Sequence, residues 1–388
     1  MAPQVLNRIE KGELVDLLRA LVRIPSTNQE GEAEVSGYIA DWARGAGLEV
    51  ELDEVLPGRP NVYLWVRGEE GRPRLIFNGH TDVVPVGEGW SHPPFGADIA
   101  SDHLYGRGSS DMKGGLAAML IAAKAINESG QKLKGELALT AVIDEESGCA
   151  GTPQTLKRGI IGDFAVVGEP TGLEAVIASK GDVNVEVTTY GRAAHSSRPE
   201  EGVNAIYKMT RVVQAIETTY TERLRAKRHP LLGHPTASID TIEGGITPWI
   251  IPERCRAMID RRTIPGENAE IVIRELDDLF EPLKKEDPEF RLEMTIKLNA
   301  SSAEIAPEED IVRVLRTSAA KVLGRSISMT GMSGTTDARF LINDAKMPTI
   351  IFGPGDISTA HKPDENVSLT EVCEAAQIYT LVALGLLT

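Results

Sequence analysis

The segment Phe77-Asn78-Gly79-His80-Thr81-Asp82 places a histidine and an aspartate two residues apart where an apolar run ends. At that spacing in an extended chain both side chains point the same way. An imidazole that binds a metal needs its second ring nitrogen held, and a carboxylate commonly does this. A chance polar strand end has the same appearance. In Gly106-Arg107-Gly108-Ser109-Ser110-Asp111-Met112-Lys113-Gly114-Gly115, glycines crowd Asp111 on both sides ahead of a helix. They suit a backbone that approaches something closely. A carboxylate there can bridge two cations through its two oxygens, or can simply cap the helix. Asp144-Glu145-Glu146-Ser147-Gly148 follows the apolar run ELALTAVI. Three consecutive carboxylates at the end of a buried strand are costly without cations. Adjacent side chains diverge, so one can bind metal while its neighbour faces a substrate. A solvated acidic loop is the plain alternative. Glu169, in Val167-Gly168-Glu169-Pro170-Thr171, and His361, in the loop from Gly353 to Pro363, also follow apolar strands.

Ligands of open α/β sheets bind beyond the carboxyl ends of the strands. Five such residues at equivalent strand ends therefore point to a common site more strongly than any one of them does. One aspartate, two glutamates and two histidines, without a thiolate, form a donor set suited to a pair of Zn²⁺ ions, with Co²⁺ or Mn²⁺ as substitutes. His92, His103, His229 and His234 lie in polar or proline-rich turns and receive no role.

The elements that carry these residues alternate. Residues 5–23 read as a helix with Leu14, Leu17, Leu18, Leu21 and Val22 on one face, and residues 32–47 as a second. VELDEV, NVYLWVRG, RLIFNGHTD, ELALTAVIDEE and FAVVGEP read as strands, and DMKGGLAAMLIAAKAINESG as a helix. Short apolar strands between helices predict an α/β sheet covered on both faces. Near residue 180 the pattern changes. Val183, Val185 and Val187 share one face of a strand, and Leu292, Met294, Ile296 and Leu298 one face of another. This alternation predicts an antiparallel sheet with one covered face. Helices are expected near 202–224 and 267–285, and a strand pair near 236–262. Residues 180–297 thus read as an inserted α+β domain, and residues 1–179 and 298–388 as one discontinuous α/β domain.

The bulk numbers agree. A chain of 388 residues exceeds one ordinary core, so two domains are expected. With 41% hydrophobic and 25% charged residues it has a globular composition. The net charge of −16 argues against a nucleic-acid partner. It leaves room for an anionic substrate, because bound dications reverse the local field. Three widely spaced cysteines, Cys149, Cys255 and Cys373, form no disulfide framework and point to a reducing cytoplasm. The first residues lack a signal peptide's apolar core, and no run approaches ~20 uninterrupted apolar residues, so no membrane span is expected.

GHTDVVP, GRGSSDMKGG, DEESG, VGEPT and the late His361, in this order, resemble the dizinc metallopeptidase family of aminoacylase-1, glutamate carboxypeptidase, acetylornithine deacetylase and succinyl-diaminopimelate desuccinylase. The resemblance spans nearly the whole chain. It implies a zinc-dependent exopeptidase-like catalytic domain with a mixed, mostly parallel sheet, and a ferredoxin-like lid and dimerisation domain. It also implies that His80 and Glu169 bind one zinc, Glu146 and His361 the other, and that Asp111 bridges them. Asp82 would support His80, and Glu145 would be the general base. A cis peptide after Asp111 is common in the family.

By the same resemblance His195, in Gly191-Arg192-Ala193-Ala194-His195-Ser196-Ser197, reaches the partner subunit's active site as an oxyanion donor, so a homodimer through the lid is expected. Arg262, with Arg261 as the register alternative, and Ser333, Gly334 and Thr335 would bind the substrate carboxylate. One departure stands out. Thr247-Pro248-Trp249-Ile250-Ile251-Pro252 lacks the asparagine that many members carry there, and Trp249 could instead shape an apolar pocket. The expected reaction is hydrolysis of an N-acyl amino acid, since glutamate at position 169 goes with acylases and carboxypeptidases. A dipeptidase or carboxypeptidase is the near alternative. A non-catalytic metal- or ligand-binding protein is the distant one, disfavoured by the retention of Glu145.

Overall fold

The computed structural model describes residues 2–388. The chain divides into two compact units, Met1–Ile177 with Ile305–Thr330 and Thr336–Thr388, and Ala178–Glu304 with Gly331–Thr335. The expected boundary after residue 297 falls inside the strand Arg291–Ala300, which is bonded along its length to Gly181–Tyr190 and stays with the second unit. Residues 331–335 also group with the second unit, apart from their neighbours on both sides.

The first unit is built on a mixed sheet. Its order is Glu49–Leu56, Arg59–Val66, Glu136–Val142, Arg74–His80, Phe164–Val167, Thr349–Ile351 and Ala175–Ser179. The four strands from Glu136–Val142 to Thr349–Ile351 run parallel. The flanking pairs are antiparallel. Glu136–Val142 is buried at every position, as a strand covered on both faces must be. Helices Gly114–Glu128 and Leu369–Leu387 supply much of that cover. Leu369–Leu387 is long and apolar enough to cross a membrane by length and composition alone. Here its apolar residues, Val372, Ala375, Ile378 and Val382 among them, are buried in the core. Tyr379 packs against Phe77 with ring centroids 5.3 Å apart and donates its hydroxyl to the carbonyl of Phe352 at 2.6 Å.

The second unit has four antiparallel strands in the order Thr236–Gly244, Arg254–Thr263, Gly181–Tyr190, Arg291–Ala300. Helices Ala205–Ala215 and Ala269–Glu286 connect them in the sequence βαββαβ, which is the ferredoxin-like arrangement. Val183, Val185 and Val187 face Met209, Val212, Val272, Leu276 and Phe280 in a closed apolar core. Asn268 caps the second helix by accepting the N–H of Ile271 at 2.9 Å.

Two element readings are corrected. The helix expected over 5–23 is two helices, Ala2–Leu6 and Lys11–Arg23, because Asn7, Arg8 and Ile9 close a turn on Pro3, Val5 and Leu6. The helix expected from Asp111 begins at Gly114. Asp111 is extended, with φ −117° and ψ 97°, and its peptide bond to Met112 is cis.

Candidate metal centre and catalytic site

Parallel strands bring their carboxyl ends to one edge, and the polar residues that follow them meet there. His80 ends the strand Arg74–His80 and is 1% exposed. Glu169 follows Phe164–Val167, Glu146 follows Glu136–Val142, and His361 lies in the loop after Thr349–Ile351. Asp111 enters from the turn before Gly114–Glu128. Gly115 lets that helix start close to the strand end, since a Cβ there would lie 2.0 Å from the carbonyl oxygen of Gly168. Gly108, at φ 79°, makes the preceding turn.

The geometry around Asp111 is the centre of the arrangement. Its Oδ1 lies 3.1 Å from His80 Nε2, and its Oδ2 lies 3.3 Å from His361 Nε2. His80 Nε2 is also 3.8 Å from Glu169 Oε1, and His361 Nε2 is 3.0 Å from Glu146 Oε1. One carboxylate thus faces a different histidine with each oxygen, and each histidine has a further glutamate beside it. His80, Asp111 and Glu146 alone form a group able to hold a metal ion.

The surrounding polar contacts fix these groups. His80 Nδ1 is held by the backbone carbonyl of Asp82 at 3.0 Å. The Asp82 carboxylate, expected on that ring, lies 3.7 Å from it and accepts instead the backbone N–H groups of Glu145 and Glu146 at 3.1 and 3.0 Å. Asp82 therefore anchors the loop that carries both glutamates. Burial pushes its own pKa up to about 6, against the pull of His80 and the Glu146 N–H. Of the three consecutive acids, Asp144 turns away. It bonds Arg59 at 2.9 Å, and Glu32 accepts its N–H at 3.1 Å.

The electrostatics are those of crowded buried carboxylates. Burial pushes Glu145 and Glu169 well above the usual carboxylate range, and nearby carboxylates push the same way. Asp111 goes down despite burial, because both histidines bond it. His80 goes up against the effect of burial, chiefly through the charge of Glu169. Hydrogen bonds to Asp111 and Glu146 push His361 up to about 10. Excess negative charge in a buried place, with nitrogen and oxygen donors and no thiolate among the five, suits divalent zinc, cobalt or manganese.

Sequence reasoning missed a second layer. Glu365, 1% exposed, accepts the backbone N–H groups of Ser110 and Asp111 at 3.0 Å each and pairs with Arg107 at 2.6 Å. Arg107, 2% exposed, also donates to the carbonyl of Lys362, next to His361. Arg107 stood inside a singled-out motif, but nothing in it signalled a partner 258 residues away.

The remaining predicted residues belong to the second unit. His195 is exposed and bonds Ser197 Oγ at 2.8 Å through Nδ1. His195 forms an isolated antiparallel bridge with Ile250, and the N–H of Ser196 donates to the carbonyl of Trp249 at 3.0 Å. Arg262 is partly exposed and bonds Asp260 at 2.8 and 2.7 Å and Asp182 at 3.2 Å. The register alternative Arg261 is overturned as a ligand contact. It is 0% exposed and bonds Tyr220 and Glu267 inside its own unit. Ser333, Gly334 and Thr335 lie on a surface turn of the second unit.

Residues 76–385 match peptidase family M20/M25/M40. The chain belongs to this family. An N-formyl-4-amino-5-aminomethyl-2-methylpyrimidine deformylase of Halalkalibacterium halodurans is 30% identical to it, with 96% of this chain and 94% of that one covered. An acetylornithine deacetylase of Aliivibrio fischeri is 32% identical over 89% of each. The crystal structure of an M20 family metallo-carboxypeptidase from Sulfolobus solfataricus superposes with a TM-score of 0.80 at 23% identity, over 95% of this chain and 98% of that one, and so shares the fold. The family member described here is a metal-dependent amidohydrolase.

Proposed function

We propose that the chain hydrolyses the amide bond of N-acyl amino acids with a pair of Zn²⁺ ions. His80 and Glu169 would hold one ion and Glu146 and His361 the other, with Asp111 available to both. The observation that carries this reading is the Asp111 carboxylate, with one oxygen 3.1 Å from His80 and the other 3.3 Å from His361. Bound there, two divalent cations polarise a carbonyl and acidify water. The chain's own groups do the rest. Glu145 accepts the proton of the attacking water and returns it to the departing amine. In the metal-free site burial raises its pKa, so it holds a proton more readily than an ordinary glutamate. Asp82, through the N–H groups of Glu145 and Glu146, keeps base and ligand in register.

His195 would donate to the oxyanion of a partner subunit's substrate, in a homodimer made through the second unit. Sedimentation at assay concentrations checks this, and an active, strictly monomeric protein contradicts it. Arg262, with Ser333, Gly334 and Thr335, would take the substrate carboxylate. Asp260 and Asp182 already engage Arg262, so the substrate competes for that guanidinium. The three unpaired cysteines fit a reducing cytoplasm.

A panel of formyl-, acetyl-, succinyl- and aromatic-acyl amino acids beside free dipeptides tests the reading. Turnover of acyl substrates is expected, lost on chelation and reduced on the order of 10²- to 10⁴-fold by Glu145→Gln. Turnover of dipeptides alone would sink the acylase assignment in favour of a dipeptidase.

A further inference from the structure

A second group of donors lies beside the centre and shares one member, Glu145, with the catalytic machinery. Cys149, Asp337 and Glu145 each present one ligand atom, a sulfur and two carboxylate oxygens, all within 4.8 Å of one another. All three belong to the first unit. Glu145 and Cys149 come from the turn between Glu136–Val142 and Gly151–Lys157, and Asp337 precedes Ala338–Asn343. Cys149 Sγ is held 3.1 Å from the carbonyl of Glu145. Asp337 is 2% exposed, with one oxygen bonded to Thr152 at 2.8 Å. Its Oδ1 is buried without a hydrogen-bond partner. Such an orphan acceptor costs free energy unless something fills it.

Charge and geometry say what could fill it. Burial pushes the Cys149 thiol up to about 12, so an incoming cation has to displace its proton. Once thiol and carboxylates are ionised the group carries three negative charges. The guanidinium of Arg339, which acts on both Cys149 and Asp337, offsets one. The two left over match a single divalent cation. Ligands of a tetrahedral zinc are roughly 3.5 Å apart, with Zn–S about 2.3 Å and Zn–O about 2.1 Å, so the group need close by only about 1 Å. One sulfur and two oxygens favour a borderline or soft ion over Mg²⁺ or Ca²⁺.

We infer that Cys149, Asp337 and Glu145 form a third, inhibitory cation site, which takes excess Zn²⁺ or Cd²⁺ and withdraws the Glu145 carboxylate from catalysis. The inhibitory part rests on Glu145 being the base. Binding releases the thiol proton to solvent, and the sulfur lone pair makes the new bond. Hydrolysis therefore rises as the first two ions load and falls as zinc is raised further.

The test starts from protein carrying two equivalents of Co²⁺. A third equivalent is expected to produce a thiolate-to-cobalt charge-transfer band that Cys149→Ala abolishes. The same variant should match the wild-type rate at two equivalents of Zn²⁺. It should raise the excess zinc needed to halve that rate on the order of 10-fold or more. Cys149→Ser, nearly isosteric, guards against a folding defect. Absence of the band overturns the site. A band without zinc inhibition, or inhibition unchanged in both cysteine variants, overturns the inhibitory role. Glu145→Gln separates the two readings. If it keeps full activity the base assignment fails by itself, while the band still reports whether Cys149 binds the ion.

Discussion

At the scale of single residues, the position of Asp111 depends on a side chain outside the five candidate donors. Glu365 takes the N–H groups of Ser110 and Asp111, and its charge is balanced by Arg107, which reaches back to the carbonyl of Lys362. One buried ion pair therefore ties the Asp111 turn to the loop of His361. Removing one partner of such a pair strands the other charge, at a cost of about 3–5 kcal/mol. Glu365→Gln keeps the shape and some of the accepting capacity but leaves Arg107 uncompensated. The variant should unfold at distinctly lower denaturant and bind its cations on the order of 10- to 100-fold more weakly. Urea titration reads the first effect and competition with a chelator the second. Unchanged cation affinity in a folded Glu365→Gln protein would show that the ion pair supports the fold without setting the site.

At the scale of elements, the site is a consequence of parallel strands, and close packing holds the pieces together. Gly115 sits where a Cβ would lie 2.0 Å from the backbone oxygen of Gly168, and backbone cannot swing aside. Gly37, inside the helix Ala33–Gly45, has nothing within 4 Å of such a Cβ. Helix propensity alone favours alanine at both by about 1 kcal/mol. Gly37→Ala should therefore stabilise by up to about 1 kcal/mol, whereas Gly115→Ala should destabilise by about 1–3 kcal/mol through overpacking. Chemical denaturation of the pair decides it, and a stabilised Gly115→Ala would mean that the helix has room to move off Gly168. The same contrast explains what the sequence revealed. Apolar runs such as ELALTAVI announce strands locally, so the strand ends and the residues just beyond them, His80, Glu146 and Glu169, could be found by reading along the chain. Partnerships made by folding leave no local trace. Glu32, Arg59 and Asp144 meet across 112 residues, and Arg107 meets Glu365 across 258. The grouping of residues 331–335 with the second unit, and the extended backbone of Asp111 where helix was expected, are likewise set by contacts distant in sequence.

At the scale of the whole molecule, the centre couples cation binding to folding. A chain of net charge −16 has gathered buried carboxylates at one strand edge, and without cations protons must relieve the repulsion. Glu145 and Glu169 are raised well above the ordinary carboxylate range, chiefly by burial. A raised acid favours the folded state while protonated, so its contribution is lost as pH climbs from the unfolded value through the folded one. His80 is raised, and His361 reaches about 10. Their bound protons stabilise fully below the ordinary histidine range, and this too is lost as pH rises. Asp111 is lowered, so its contribution runs the other way and disappears only in strong acid. Through these groups the metal-free protein should lose stability from the carboxylate range upward, while the buried Lys113 ammonium, pushed down to about 7 by burial, works the other way above neutrality. Cations replace those protons and compete better as pH rises, so the stabilisation they add grows over the same window. Melting curves of chelated and zinc-loaded protein between about pH 5 and pH 9 measure this difference. The gap between the two midpoints should widen with pH, mainly because the metal-free midpoint falls. A gap that stays constant through this range would mean that the carboxylates and histidines around Asp111 do not exchange protons for cations.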